Sequence, residues 1–231
     1  MKLKNAVVFV TGANRGLGRA FAQAALAAGA AKVYAAARDP ASVDLPGVVP
    51  ITLDVTDPAQ IAAAVRSAGD VTLLINNAGI SRKSGLLAED AIATARDEFE
   101  TNVFGLWAVT QGFAPVLKAN GGGAVLNVLS VLSWVTVPSV ATYSASKSAA
   151  WSLSNGLRNE LKAQGTQVTS LHVGYMDTDM TRGLDAPKAL PADVARQALE
   201  GVESGAIEVL ADELSRHVKQ SLSTPTPAYA G

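Results

Sequence analysis

The chain has 231 residues, 48% of them apolar and 17% charged, a length and composition that suit one α/β domain with a sizeable core. Lys and Arg number 19 against 20 Asp and Glu, leaving a formal net charge of −1 and no electrostatic footprint for nucleic acid or an anionic membrane. The lack of cysteine removes disulfides, thiolate nucleophiles and zinc–thiolate sites and fits a reducing cytoplasm, and two histidines, His172 and His217, cannot by themselves assemble a metal site.

The opening MKLKNAVVFVTG carries an apolar run over residues 6 to 10 only, too short for a signal peptide. No stretch offers the ~18 uninterrupted apolar residues of a membrane span, so a soluble protein is expected. Strands are predicted at 6 to 10, 32 to 37, 48 to 53, 71 to 75, 124 to 129, 167 to 173 and 206 to 210. Helical spacing of Ala and Leu predicts helices near 16 to 28, 58 to 68, 88 to 118, 142 to 163, 191 to 203 and 212 to 221, with Pro58 and Pro191 in first turns. The strands are apolar on both faces, which calls for helices on both sides, and the intervening helices favour right-handed parallel crossovers. The expectation is a single-domain α/β fold: a doubly wound parallel seven-stranded sheet with helices on both faces, a Rossmann fold. The end, at about 222 to 231, has two prolines and no periodicity, and reads as an extended tail, disordered or leaning on a partner subunit.

Directly after the first predicted strand stands TGANRGLG, with Gly12, Gly16 and Gly18. Glycines allow a sharp turn and close approach of an anion, and a helix starting near Gly16 would aim free N–H groups at a pyrophosphate. A plain tight turn is the competing reading, but the first βα turn of a parallel sheet is where dinucleotides lie. About 20 residues further on an acidic residue would favour NAD. Here that place holds Ala37, at 37 − 18 = 19 positions, followed by Arg38 and Asp39. Arg38 and Arg15 are therefore expected to clamp a 2′-phosphate, so that NADP is preferred; the alternative is that Arg38 is solvated and Asp39 takes the ribose. Asp54 in LDVTD, and Asn76, Asn77, Ala78 and Gly79 in NNAG, follow the third and fourth strands and share the same sheet edge. Taken alone, Asp54 reads as a helix cap and NNAG as a turn.

TYSASKSAAWSL places Tyr143 and Lys147 four residues apart, on one face of a helix. A free phenol titrates near ~10 and is a poor base at neutral pH, whereas a cation beside it favours phenolate. Lys147 is expected to supply that cation. Ser130 lies 143 − 130 = 13 residues before the tyrosine, and Asn102 stands in ETNVFG.

Over essentially its whole length the chain resembles the short-chain dehydrogenase/reductase family. The resemblance rests on the glycine motif, Asp54, NNAG, Asn102, Ser130 and the Y-x-x-x-K pair, in that order. It implies cofactor contacts from Gly12, Asn14, Arg15, Gly16, Leu17, Gly18, Arg38, Asp54, Val55, Asn77, Ala78, Gly79, Tyr143, Lys147, Gly174 and Thr178. It also implies that Ser130 holds the substrate oxygen, Tyr143 exchanges the proton, Lys147 bonds the nicotinamide ribose and Asn102 anchors a water linking Lys147 to solvent. The positive nicotinamide ring would lower the tyrosine pKa further. The chain departs from the family at Val173, where Pro precedes Gly174, which puts the nicotinamide pose in question; His172 beside it reads as a satisfied strand-end residue. Residues 179 to 190 are expected to form a short, open lid, with Leu132, Trp134, Val137, Tyr175 and Met180 lining a cleft for a hydrophobic ketone or aldehyde. The expected activity is NADP(H)-dependent interconversion of carbonyl and alcohol, as a carbonyl reductase or alcohol dehydrogenase. A homodimer or homotetramer is expected by resemblance, from Phe104, Trp107, Phe113, Trp151 and Leu157 on the long helices; core packing would equally explain them. The alternative from another class is an NADP-binding redox sensor without catalysis. A serine hydrolase is disfavoured by the absence of a G-x-S-x-G elbow.

Overall fold

The computed structural model describes residues 1–230. Seven strands form one sheet in the order β3-β2-β1-β4-β5-β6-β7, and every adjacent pair runs parallel. They are β1 (Val7–Thr11), β2 (Lys32–Ala37), β3 (Val49–Thr52), β4 (Leu73–Asn76), β5 (Ala124–Val128), β6 (Gln167–His172) and β7 (Glu208–Leu210). The helices are α1 (Gly16–Ala27), α2 (Pro58–Ser67), α3 (Ala91–Phe99), α4 (Leu106–Ala119), α5 (Ala141–Leu161), α6 (Pro191–Ser204) and α7 (Glu213–Ser221).

Alternation along β1 shows why both faces are covered. Val8 and Val10 point into a core layer with Phe21 of α1 and with Val194, Leu199 and Val202 of α6. Phe9 points the other way, into a layer with Val109, Phe113 and Leu117 of α4 and Leu157 of α5. Burying each such side chain stabilises by about 1.5–3 kcal/mol, and two such layers hold the sheet between its helices. The chain order reverses at β1, flanked by β2 and β4, so the crevice at the carboxyl ends of β1 and β4 is the switch point where ligands bind in such sheets.

Local chemistry sets the helix ends. Asp57 caps α2 by accepting from the amides of Ala59 and Gln60, with Pro58 at the first turn. Gly205 ends α6 at φ 79°, a left-handed position that glycine occupies without a Cβ clash.

Two expectations are corrected. The long helix at 88 to 118 starts at Ala91 and is divided by a π-helical turn, Glu100–Gly105. Gly105 sits against Val55, where an added Cβ would lie 2.7 Å from Val55 Cγ2, so the wider turn accompanies a close backbone approach to the strand layer. The tail is not patternless: the amide of Ala228 donates to Ser221 Oγ at 3.1 Å, and Ala228–Ala230 forms a 3-10 turn. Its final residue, Gly231, lies outside the described residues. No helix among the described residues is long and apolar enough to cross a membrane.

Candidate active site

The glycine loop joins β1 to α1. Gly12 and Gly16 take φ of +63° and +52°, and a Cβ on Gly18 would fall 2.1 Å from the Gly12 carbonyl oxygen, so the loop closes on itself only with glycine there. Arg15 occupies the cap of α1 but makes no side-chain capping bond, leaving the first-turn N–H groups without that partner. Leu17 is buried in the core layer under α1, and Asn14 is half-buried beside it. Thr178, beyond β6, reaches over the loop, its methyl 3.4 Å from where a Gly16 Cβ would stand. Gly16, Asp177, Thr178, Asp179, Arg182, Gly183 and Lys188 line a cavity of about 380 Å³ there. A glycine backbone at a helix N-terminus, with Thr178, Arg182 and Lys188 bordering the same cavity, fits a pyrophosphate.

Several expected contacts turn out to brace this cradle. Asn77 Nδ2 donates to the carbonyls of Thr11 (2.9 Å) and Gly12 (3.1 Å), and the amides of Asn77 and Ala78 donate to Thr11 Oγ1. The Asn77 side chain is thus committed to the loop's shape. Arg15, expected beside Arg38 as a phosphate clamp, instead pairs with Asp179 at 2.9 Å, and Asp179 also pairs with Arg182. The Gly174 amide is taken by Asp212 Oδ2 at 2.5 Å.

At the adenine end, β2 stops at Ala37 and Arg38 stands exposed just beyond. Asp39 spends its carboxylate on the Ala41 amide at 3.0 Å as the cap of a 3-10 turn. Asp54 accepts from the amide and hydroxyl of Thr56; these two bonds, with a smaller pull from Arg38, hold its carboxyl below the usual range against the opposing effect of burial. Val55 next to it is buried against Gly105.

The chemistry gathers at the end of β5. Ser130 caps a 3-10 turn, its Oγ accepting from the Leu132 amide at 3.1 Å and donating to the Val173 carbonyl over a long 3.4 Å. Val173 makes that contact, and another to the Val131 amide, through its carbonyl, which the family's proline would also have. Lys147 is buried on α5, its Nζ donating to the Val128 carbonyl at 2.9 Å and lying 5.7 Å from the Tyr143 ring centre. Gly79 borders it, a Cβ there standing 3.6 Å from Nζ and a tighter 3.2 Å from Asn102 Oδ1. The ammonium therefore points inward, as the sequence reading requires.

The charge balance differs from that reading. Burial brings Lys147 down to about 8. Burial also pushes the Tyr143 phenol above its ordinary value; a hydrogen bond with Ser130 lowers it, and the Glu98 carboxylate raises it. In the protein alone burial outweighs any help to the phenolate, and Lys147 Nζ has one of its three N–H groups on the Val128 carbonyl.

Asn102 is buried in the π turn, where its Oδ1 accepts from the Ile80 amide and its Nδ2 donates to the Ile80 carbonyl and to Ser146 Oγ. Both amide protons are committed, which leaves the second lone pair of Oδ1 as the part of that side chain open to a water. One turn earlier, Glu98 accepts from the Arg82 amide at 2.7 Å, so the two side chains grip alternate residues of the loop after β4. The sequence reading missed Glu98; its only signal was an acid four residues before Asn102 on one helical face. It also placed Trp134 in the cleft, whereas Trp134 is buried against Trp151 and His172. His172 is only half satisfied, with Nε2 unpartnered. Of the aromatic and apolar residues expected at helix surfaces, Phe104 and Trp107 are exposed; Phe113 and Leu157 belong to the core and Trp151 packs at its margin.

The short chain dehydrogenase family pattern matches residues 6–189. The chain belongs to the short-chain dehydrogenase family. Similar to this short-chain dehydrogenase is a solved short chain dehydrogenase from Burkholderia cenocepacia J2315 in complex with NADP: 40% identity, TM-score 0.93, 97% of this chain and 95% of that one. A 3-ketoacyl-(acyl-carrier-protein) reductase from Brucella melitensis complexed with NADH aligns at 26% identity and TM-score 0.82 over 90% and 97% of the two chains. The short chain dehydrogenase tazN of Aspergillus terreus is 35% identical over 208 residues, covering 83% of this chain and 45% of that protein. The chain thus spans about half the length of that curated relative.

Proposed function

We propose that the protein interconverts a carbonyl and an alcohol with NADP(H) as hydride carrier. The observation that carries this is the convergence of Ser130, Tyr143 and buried Lys147 at the carboxyl end of β5, on the same sheet edge as the glycine cradle. When bound, the nicotinamide supplies or accepts the hydride. The chain's own residues do the rest. Ser130 Oγ, only loosely held by Val173, is free to donate to the substrate oxygen. Tyr143, kept as a neutral phenol at neutral pH, is set to give that oxygen its proton, which suits reduction. Lys147, mostly an ammonium at pH 7, steadies the phenolate left behind.

Preference for NADP is supported by the neutral Ala37, by exposed Arg38 beside Asp54 and by Asp39 being occupied as a cap; the 40% identical neighbour was solved with NADP. Arg38 is the first guanidinium offered to a 2′-phosphate, and Arg15, held only by an exposed ion pair to Asp179, is the second. Half-exposed Val137, Tyr175 and Met180 support a hydrophobic substrate, and exposed Phe104 and Trp107 support a homodimer or homotetramer.

The test is loss of NADPH absorbance against a panel of aldehydes and ketones, with Tyr143→Phe alongside. Turnover should fall about 10²- to 10⁴-fold in the variant while NADPH binding persists. NADPH binding without turnover of any carbonyl by the unaltered protein would favour the redox-sensor reading instead.

A further inference from the structure

β6 ends on a fully buried imidazole one strand away from Ser130. His172 Nδ1 lies 3.1 Å from the Ser130 carbonyl oxygen. A carbonyl only accepts, so Nδ1 carries the hydrogen. The ring stacks on Trp134, with centroids 3.9 Å apart and planes 18° from parallel. Its other nitrogen, Nε2, has no hydrogen-bond partner and faces Glu208 Oε1 at 3.7 Å. That carboxylate is fixed in turn by Lys219 Nζ at 2.7 Å and Trp151 Nε1 at 3.1 Å. The Lys219 ammonium lies over both indole rings, at 4.8 Å from Trp134 and 5.5 Å from Trp151.

A buried ring with one nitrogen unpaired costs stability that an apolar side chain of similar volume would not. The contact that the imidazole adds is a single directed N–H to the Ser130 peptide. The same carbonyl accepts from the Ser133 amide at 3.0 Å and the peptide's N–H donates to Val173, so the imidazole is a second, side-chain donor on a carbonyl next to a hydroxyl that the Leu132 amide, a long contact to Val173 and a hydrogen bond with Tyr143 orient. The stack on Trp134 and the fixed carboxylate behind Nε2 prevent the imidazole from tilting away.

We propose that His172 is a positioning residue for catalysis: stacked on Trp134, it holds the Ser130 carbonyl so that the hydroxyl stays aimed at the substrate oxygen. The proposal rests on the oxidoreductase reading above. It predicts that the Nδ1 donor, rather than the bulk of the ring, is what catalysis requires.

Two variants separate these. His172→Leu fills the space without a donor, and His172→Asn restores an N–H close to the Nδ1 position. The unaltered protein and both variants are compared for kcat, for NADPH binding and for melting temperature. His172→Leu should lose about ten- to hundredfold in kcat with NADPH affinity unchanged, and His172→Asn should recover to within about threefold of the unaltered protein. A leucine variant with full kcat, or an asparagine variant as slow as the leucine one, would overturn the proposal. An arm independent of turnover is nitrogen NMR of the protein labelled in its two histidines. His172 should show a protonated Nδ1; a bare Nδ1 with the proton on Nε2 would overturn the contact even if neither variant folds. Failure of the unaltered protein to reduce any carbonyl contradicts the oxidoreductase reading and with it the catalytic role, while the NMR arm still decides the His172 contact.

Discussion

With its phenol raised by burial and its neighbour Lys147 brought down to about 8, the proposed catalytic pair of Tyr143 and Lys147 rests at neutral pH as a neutral hydroxyl beside an ammonium. That is the protonation state of a general acid. The identities of the two residues were legible in the sequence, because a spacing of one helical turn places two side chains on one face. Their charge balance was not, since it depends on how much water the fold removes and on which oxygen the ammonium donates to. Asn102 makes the same point: its place in the chain marked it as functional, but only the fold shows its amide sewn to Ile80 and Ser146. Arg38 carries a residue-scale prediction. Arg38→Ala should cut the ratio of NADPH to NADH efficiency by about ten- to hundredfold, the worth of a charge-assisted bond. Equal use of both cofactors by the unaltered protein would contradict the NADP assignment.

Helix periodicity predicted six helices, and the structure keeps five of them near their expected bounds. The sixth is interrupted because a π turn is not written in apolar spacing: ETNVFG reads as helix, and its last residue, Gly105, packs on Val55, fifty residues away in sequence. That contact is testable. In Gly105→Ala the new Cβ would press on Val55 Cγ2 and, at 3.1 Å, on its carbonyl oxygen, and Val55 is a stiff β-branched residue. Denaturant unfolding should show a loss of about 1–3 kcal/mol, partly relieved by adding Val55→Ala. An unchanged midpoint would mean that the π turn can move aside at no cost.

For the molecule as a whole, strand count and parallel topology followed from alternating runs, because residues apolar on both faces of a strand have no other use than to sit between two layers of helices. What covers the outer surface was not legible, since an aromatic at helical spacing serves core and interface alike. The fold separates them: Phe113 is fully buried, while Phe104 and Trp107 each keep nearly half their surface open. Sedimentation should find a dimer or tetramer that dissociates in the Phe104→Glu, Trp107→Glu double variant. A monomeric unaltered protein would contradict that assembly. The Asp179–Arg15 ion pair links the segment after β6 to the glycine loop, while Asp179 also pairs with Arg182 within its own segment.

The central claim is that a charged Lys147 keeps Tyr143 working as an acid, and the pH dependence of kcat for carbonyl reduction tests it most directly. Lys147 is protonated below its pKa and neutral above it, so the rate should be level near pH 6 to 7 and decline as pH rises through about 8, approaching about a tenfold loss per further unit. A rate that stays level to pH 10, or that climbs with pH, would show that the ammonium is not needed.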